Sequence, residues 1–515
     1  MRRLPLALVA AFLDHKKGAT SWTNRLREKD RGDPATTRVR APPGATTIDR
    51  GQPSRRRSPT AKTDAAASRS GSQTVERALE RLSERGIRFL DLRFVDVLGT
   101  VKSITIPAQR LPHAVRNGEW FDGSSVEGFA RVFESDMFLR PDLETLTVGE
   151  ADGVLGAQVI CDLLTPDGER FAGDPRGVLA RVLAEAAALG FDYAVATELE
   201  FFLLNTDSAS GGVRPGRHDR ASYFDHPVDV ASDVRQEIVS ALDHLGITVD
   251  ASHHEVAAGQ YELDLALGNA MKSADHLVTL KHAVKAVAQR RGLLATFMPK
   301  PIFGAAGSGM HTHQVLTDLG KDTNAFYDRA DQYQLSPVAK HFIAGQLAHA
   351  RGLCALVAPL VNSYKRFVPG FEAPVAITWA QVNRSALIRV PRAGSGDRGA
   401  IRIEFRAPDP SCNPYLAFAA MLHAGLSGIR QKLPLPPPVE ENLYAFDPEA
   451  LARHQLGQLP RSLAEALRDL RQDEVMRDAL GVHLLERFIE AKEMEWQNYE
   501  KQVSGWELDA YLEAY

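Results

Sequence analysis

The sequence predicts an α+β protein of two domains behind a basic extension, and three observations carry that expectation. Residues 1–72 are rich in Arg, Ser, Thr, Pro, Ala and Gly without helical or strand periodicity. Residues 73–170 set one short amphipathic helical stripe beside strand-length apolar runs, the pattern of a small α+β domain. Residues 171–515 carry longer amphipathic helices interleaved with strands, the pattern of a larger second domain. At 44% hydrophobic and 24% charged residues the 515-residue chain has an ordinary globular composition, and its length exceeds one domain.

The extension, with Arg55-Arg56-Arg57 as its densest run, has too little apolar surface to order itself and reads as disordered. Its start, Arg2-Arg3 followed by an apolar run from Leu4 to Leu13, has signal-peptide length but no small-residue cleavage site. No stretch approaches the roughly 20 apolar residues of a membrane span, so no membrane partner is expected. Net charge is only −4 and the basic character is confined to the extension, so no nucleic-acid partner is expected of the globular part. Cys161, Cys354 and Cys412 form no CxxC pair, which excludes a disulfide framework and a thiolate metal site and points to the cytoplasm.

The helical stripe Val75, Leu79, Leu82 ends at Gly86. Strands at 89–95 and 100–106 flank Asp96-Val97-Leu98-Gly99 as a hairpin, and a third covers 153–161. The larger domain opens with a helix at 177–188 and has strands at 194–204, 249–254, 260–265, 295–298, 311–316 and 401–406.

On the first of these strands Glu198 and Glu200 share a face, about 7 Å apart by the strand period. Two carboxylates beside the apolar run Phe201 to Leu204 repel unless a cation bridges them, which favours metal ligation over a solvated edge. His253-His254-Glu255 leads through Gly259 to Gln260-Tyr261-Glu262-Leu263-Asp264 and supplies further acidic ligands. Gly307-Ser308-Gly309-Met310-His311-Thr312-His313 places a loop open to main-chain contact before a strand with both histidines on one face. In Arg402-Ile403-Glu404-Phe405-Arg406, alternation aligns two guanidinium groups around one carboxylate; Arg384 and Arg389 add cations suited to phosphate and carboxylate oxygens. Oxygen and imidazole donors suit hard divalent cations, and cations with arginines are what phosphoryl transfer requires. GxxxxGK[ST] is absent, so the nucleotide site is not a P-loop.

From about residue 75 onward these segments resemble the glutamine synthetase family, bacterial type I, or a related γ-glutamylamide synthetase. The resemblance rests on Phe121-Asp122-Gly123-Ser124-Ser125, the Glu198/Glu200 strand, His254-Glu255-Val256, Phe297-Met298-Pro299-Lys300-Pro301, Gly307 to His311, Asn362 to Arg366, Pro369 to Pro374, Asn383-Arg384-Ser385 and Arg402 to Tyr415. It implies a β-grasp-like N-terminal domain and a catalytic domain built on a curved antiparallel sheet flanked by helices. It implies one metal on Glu200, Glu255 and Glu262 and a second on Glu198, His311 and Glu404, with two or three Mg²⁺ or Mn²⁺ ions beside ATP. Arg366, Arg384 and Arg406 would grip substrate carboxylate and transferred phosphate, His313, Arg384 and Arg389 the nucleotide, and Gly307 the amino acid. Asp122 would be the general base and Glu372 the loop residue that closes the site and contacts substrate.

The implied reaction is ATP-dependent ligation of ammonia to the γ-carboxylate of L-glutamate through γ-glutamyl phosphate, giving glutamine, ADP and phosphate. The implied assembly is a dodecamer in which Asp122 serves the neighbouring subunit's site, with 496–515 as an amphipathic ring-docking tail. Ala306, where the ammonia-using enzymes usually carry Asn, and Trp379, where they often carry Tyr, raise the alternative of an organic amine or polyamine as nucleophile. A second alternative is a non-catalytic structural or regulatory relative, against which the retention of all six metal positions counts. Arg131 resembles the arginine of feedback-inhibited type I enzymes; Tyr444 lies in a region adenylylated in another subgroup, but Ala445-Phe446 departs from that subgroup.

Overall fold

The computed structural model describes residues 74–515 apart from 127–135, 152–153, 207–212, 215–218, 220, 226–230, 322, 372, 393, 395–399, 444–445, 447–453 and 455. The predicted extension, Arg131, Tyr444 and Glu372 lie outside the described residues.

The N-terminal part is a six-stranded sheet of β1 (Phe89–Val95), β2 (Val101–Pro107), β3 (Glu119–Asp122), β4 (Asp136–Pro141), β5 (Thr147–Ala151) and β6 (Val154–Leu164). Its order is β2-β1-β6-β4-β3 with β5 alongside β6; β1 and β6 run parallel and the other pairs antiparallel. The hairpin forms where expected. Asp96 Oδ1 accepts from the amides of Leu98 and Thr100 at 3.0 and 2.8 Å, while Gly99 takes a φ of +85°. Leu90, Leu92, Leu139, Val159 and Leu163 form the core on which the helix at 74–84 sets Leu82.

The larger part is a twelve-stranded sheet. Its long members are β7 (Phe191–Thr206), β9 (Val249–His254), β10 (Gln260–Leu265), β13 (Met310–Asp318), β15 (Ala376–Ala380), β16 (Ala386–Arg389) and β17 (Ile403–Phe405). Short strands β8 (Val213–Arg214), β11 (Gly268–Asn269), β12 (Leu294–Thr296), β14 (Thr323–Asn324) and β18 (Gly457–Gln458) extend it. The main path is β18-β15-β16-β17-β13-β7-β10-β9. All its pairs are antiparallel except β15 with β16. There the strand direction is reset by segment 381–385, whose Gln381 and Val382 amides donate to Glu440 at 2.8 and 2.9 Å.

Helix Pro414–Gln431, capped by the Asn413 side chain, is buried from Pro414 to Gly428 and forms the spine of the core. Helix Pro337–Ala348 crosses it at glycines, where a Cβ on Gly345 would stand 2.2 Å from the Ala424 carbonyl. Among the described residues no helix is long and apolar enough to cross a membrane. At the C-terminus Val482–Glu500 packs partly into the core, whereas Gly505–Tyr511 leaves Trp506, Leu508 and Tyr511 exposed.

One guanidinium ties the two parts together. Arg176, buried in the first turn of helix Pro175–Ala188, pairs with Asp142 at 2.6 Å, Asp162 at 2.8 Å and Asp275 at 3.0 Å. Asp142 and Asp162 come from the N-terminal part and Asp275 from helix Ala270–Arg290, to which Tyr415 Oη also donates at 2.6 Å. Replacing Arg176 with Met removes the cation that Asp142 and Asp275 share, while Asp162 keeps Arg170 at 2.6 Å. Urea unfolding is expected to show a loss of about 3–5 kcal/mol, the usual cost of breaking a buried ion pair.

Candidate active site

Strand register assembles the site. Across β7 and β10, Glu200 faces Glu262 and Glu198 faces Asp264. On the other flank of β7, Glu198 faces His311 of β13; across β13 and β17, His313 faces Glu404, which also faces Arg389 of β16. The alternation that hides Leu199, Leu263 and Met310 in the core thus turns the charged set to the opposite face. That face floors a cavity of about 640 Å³ lined by Glu198, Glu200, Glu255, Glu262 and His311 together with Gly307, Arg366, Arg384, Arg389 and Arg406.

Glu198, His311 and Glu404 form one compact donor group, with ligand atoms within 4.8 Å of one another. His311 Nδ1 lies 3.0 Å from Glu198 Oε2, and His313 Nε2 lies 2.7 Å from Glu198 Oε1. Arg402 Nε donates to His313 Nδ1 at 3.1 Å, which leaves Nε2 as the protonated nitrogen facing Glu198. Burial works against the charge on Glu198, but the hydrogen bonds from His311 and His313 outweigh it and hold the carboxyl well below the usual range. Glu404 is fully buried and takes hydrogen bonds from Arg389 and Arg406. Its burial is offset by the charge of Arg406, which brings the carboxyl down to about 2. Burial, then Arg406, pushes the His311 imidazole down to about 4, so it is a neutral donor at physiological pH.

The second group differs in membership from the predicted Glu200, Glu255 and Glu262. The donors within 4.8 Å of one another are His253, Glu262 and Asp264, and His253 Nε2 lies 3.1 Å from Glu262 Oε1. Glu200 sits beside them, its Oε2 accepting from Gln260 Nε2 at 2.8 Å and the Gly309 amide at 3.0 Å. Glu255 reaches the same cavity, 3.7 Å from His253 Nδ1. His253 and Asp264 were legible as donors in their motif, and strand alternation makes Asp264 cofacial with Glu262. The family resemblance passes over both.

The acids crowd one another. Burial, reinforced by the Glu255 charge, pushes Glu200 up to about 8, and burial with the charges of Glu200 and Glu198 pushes Glu262 up to about 12. Among the described residues, buried Asp264 Oδ1 has no hydrogen-bond donor. Oxygen and imidazole donors that repel one another, with an orphaned carboxylate oxygen among them, fit a hard divalent cation.

Arg366 is buried, donates to the Ala407 and Arg406 carbonyls at 3.0 and 3.1 Å and touches His311 Nε2 at 3.3 Å. A Cβ on Gly309 would come within 2.5 Å of Arg366 Nη2, so this glycine leaves the space that the arginine fills. Gly307 lines the cavity and accepts from Gln260 at 3.2 Å, while Ala306 adds an apolar patch to the wall. His313 faces an adjoining cavity of about 290 Å³ with Arg402 and Asp264. Trp379 is not part of the wall. It is buried, donating to the Pro436 carbonyl at 2.7 Å. Asp122 lies at the exposed end of β3, caps a short turn through the Ser124 amide at 2.9 Å, and is not among the cavity-lining residues. Of the predicted loop, Gly370 and Phe371 reach the cavity.

A catalytic sheet whose cavity sets oxygen donors against arginines, behind a six-stranded N-terminal sheet, defines an ATP-dependent, metal-using ligase. Residues 86–166 match the model for the glutamine synthetase β-Grasp domain and residues 172–511 that for the glutamine synthetase catalytic domain. The chain is 47% identical to the glutamine synthetase of Thermus thermophilus over 86% of this chain and 99% of the relative. It is 46% identical to the glutamine synthetase of Thermotoga maritima over 85% and 99%. The solved GmaS–ADP complex superposes with a TM-score of 0.77 at 32% identity, covering 85% of this chain and 99% of that one. The chain belongs to the glutamine synthetase family.

The electrostatics predict how cation binding depends on pH. Glu200 keeps its proton in the metal-free fold up to about 8 but loses it above about 4.3 when unfolded, so stability without metal falls as pH rises through that window. A divalent cation replaces the proton, and its stabilising effect grows over the same window. Thermal melts with chelator and with Mn²⁺ are expected to give a larger gain near pH 8 than near pH 6.

Proposed function

We propose that the cavity forms γ-glutamyl phosphate from ATP and L-glutamate and passes the acyl group to ammonia, releasing glutamine, ADP and phosphate. The observation that carries this reading is the juxtaposition, in one cavity, of the acidic floor around Glu198, Glu200 and Glu262 with Arg366, Arg384, Arg389 and Arg406. Glu198, His311 and Glu404 would hold one Mg²⁺ or Mn²⁺ and Glu200, Glu255 and Glu262 a second, with His253 and Asp264 close enough to contribute or to hold a third. Cations held there would supply the charge that neutralises the triphosphate and its transferred group.

The arginines do the positioning. Arg366 and Arg406, fixed by main-chain carbonyls and by Glu404, orient substrate carboxylate and transferred phosphate. His313 and Arg389 face the nucleotide, with Arg384 reaching in from the exposed rim, and Gly307 offers its main chain to the amino acid. A γ-carboxylate oxygen attacks the γ-phosphorus and ADP leaves. Ammonia then attacks the acyl carbon, phosphate leaves, and the proton lost by nitrogen goes to Asp122. Glu372 would close the site, excluding the water that would hydrolyse the acyl phosphate.

Asp122 acts from a neighbouring copy in this reading, which its exposed place away from the chain's own cavity supports. The assembly is a dodecamer with shared sites, for which the exposed Trp506, Leu508 and Tyr511 provide docking surface. A cytoplasmic setting agrees with three buried, unpaired cysteines. A second reading, ligation of an organic amine, is favoured by the apolar Ala306 wall.

ATP- and glutamate-dependent phosphate release, compared between ammonium, putrescine, spermidine and ethanolamine, decides between the two. Ammonium is expected to dominate, and preference for an organic amine establishes the second reading. Asp122→Ala is expected to lower turnover by about 10²- to 10⁴-fold, the usual weight of a positioned general base, without weakening cation binding. Mixing Asp122→Ala with Glu404→Gln subunits is expected to restore activity if sites are shared. No recovery contradicts that arrangement.

A further inference from the structure

Behind the carboxylate floor lies a second, fully protein-satisfied carboxylate. Asp219 is 8% exposed and is not among the residues lining the cavity. Its Oδ1 lies 3.0 Å from His254 Nε2 and accepts from the Ala221 amide at 3.2 Å. Its Oδ2 accepts from the Gly259 amide and, at 3.1 Å, from Tyr261 Oη. These four donors sit on three different pieces of the site wall.

Ala221 belongs to the segment that presents Tyr223 and Phe224 to the cavity. The two rings lie 4.0 Å apart, Phe224 holds a left-handed φ of 62°, and its amide donates to the His254 carbonyl at 3.2 Å. A left-handed aromatic residue is costly unless its surroundings fix it. His254 immediately precedes Glu255, and its Nδ1 lies 2.6 Å from the Glu255 carbonyl oxygen, so the imidazole bridges Asp219 to the backbone of Glu255. Gly259, at φ +77°, makes the turn between β9 and β10, and Tyr261 stands between Gln260 and Glu262 with its side chain on the opposite face. One carboxylate therefore fixes the turn that delivers Glu255, the strand that delivers Glu262 and the aromatic rim above them.

We propose that Asp219 is a positioning residue that sets the affinity of the Glu255–Glu262 side of the cavity for its divalent cation, by locking the β9–β10 turn and the Tyr223–Phe224 rim into one frame. The inference rests on the cation reading of the cavity. Groups that orient metal ligands without touching the metal typically carry about 10- to 100-fold of its affinity. Asp219→Asn keeps the volume but points an amide at the Gly259 N–H or the His254 N–H in place of an acceptor, so the turn loses its anchor while the ligands remain.

The test is Mn²⁺ titration of the full chain followed by electron paramagnetic resonance, with kinetics at limiting and saturating Mn²⁺. Asp219→Asn is expected to weaken the affected Mn²⁺ affinity about 10- to 100-fold. Saturating Mn²⁺ is expected to restore kcat, and KM for ATP to stay near the wild-type value. Tyr261→Phe, which deletes a single donor, is expected to shift Mn²⁺ affinity the same way by less, and it decides the matter if Asp219→Asn does not fold. Wild-type Mn²⁺ affinity in either folded variant, with only a lowered Tm, overturns the inference and leaves Asp219 a purely structural anchor. No saturable Mn²⁺ binding by the wild-type chain overturns the cation reading, and this inference with it.

Discussion

The structure turns on the concentration of like charge along the face where β7 meets β10 and β13. Glu198, Glu200, Glu262 and Asp264 occupy facing positions on two adjacent antiparallel strands, with Glu255 just beyond the turn. In a buried environment such a set is tolerated only with protons, with bound cations or with donors placed around it. All three devices meet here. Burial and mutual repulsion raise Glu200 and Glu262 toward the protonated form, histidines and arginines surround Glu198 and Glu404, and the donor geometry fits divalent cations. The apolar side of the same strands, with Leu199, Leu263 and Met310, keeps the register from slipping, because a shift of one residue would bury the acids in the core.

The remaining architecture holds that face in place. The helix Pro414–Gln431 supplies a rigid backing. Arg176 clamps the N-terminal part to helix Ala270–Arg290 through Asp142, Asp162 and Asp275, and Tyr415 ties Asp275 to Pro414–Gln431. The arginines opposite the acids are themselves fixed, Arg366 by two carbonyls and Arg389 and Arg406 by Glu404. A guanidinium held by the protein loses little freedom when an oxyanion arrives, which is how a preorganised site favours charge that moves during reaction.

Much of this was legible in the sequence because it depends on short-range periodicity. The hairpin at Asp96–Gly99, strands β1, β9 and β10 and the cofacial pairs Glu198/Glu200 and His311/His313 all follow from alternation and turn chemistry. Other features depend on contacts between distant segments. That Arg176 binds three carboxylates, the farthest 99 positions away, or that Asp219 anchors a turn 40 positions on, leaves no local pattern to read. The parallel pairing of β15 with β16 is likewise imposed from outside, by Glu440 holding the connecting amides. Trp379, expected near the substrate from the family pattern, turned inward because its indole N–H finds the Pro436 carbonyl. The donor grouping likewise depends on contacts between segments: Glu200 takes hydrogen bonds from Gln260 and Gly309, while His253 lies against Glu262.

The central claim is that this face exists to make an acyl phosphate on glutamate. The most direct measurement supplies glutamate labelled with oxygen-18 in the γ-carboxylate, together with ATP, Mg²⁺ and ammonium, and determines the isotope content of the released phosphate. Transfer of one labelled oxygen from glutamate to each phosphate is the predicted result. Phosphate released without label would mean that ATP is cleaved by water, and would contradict the account.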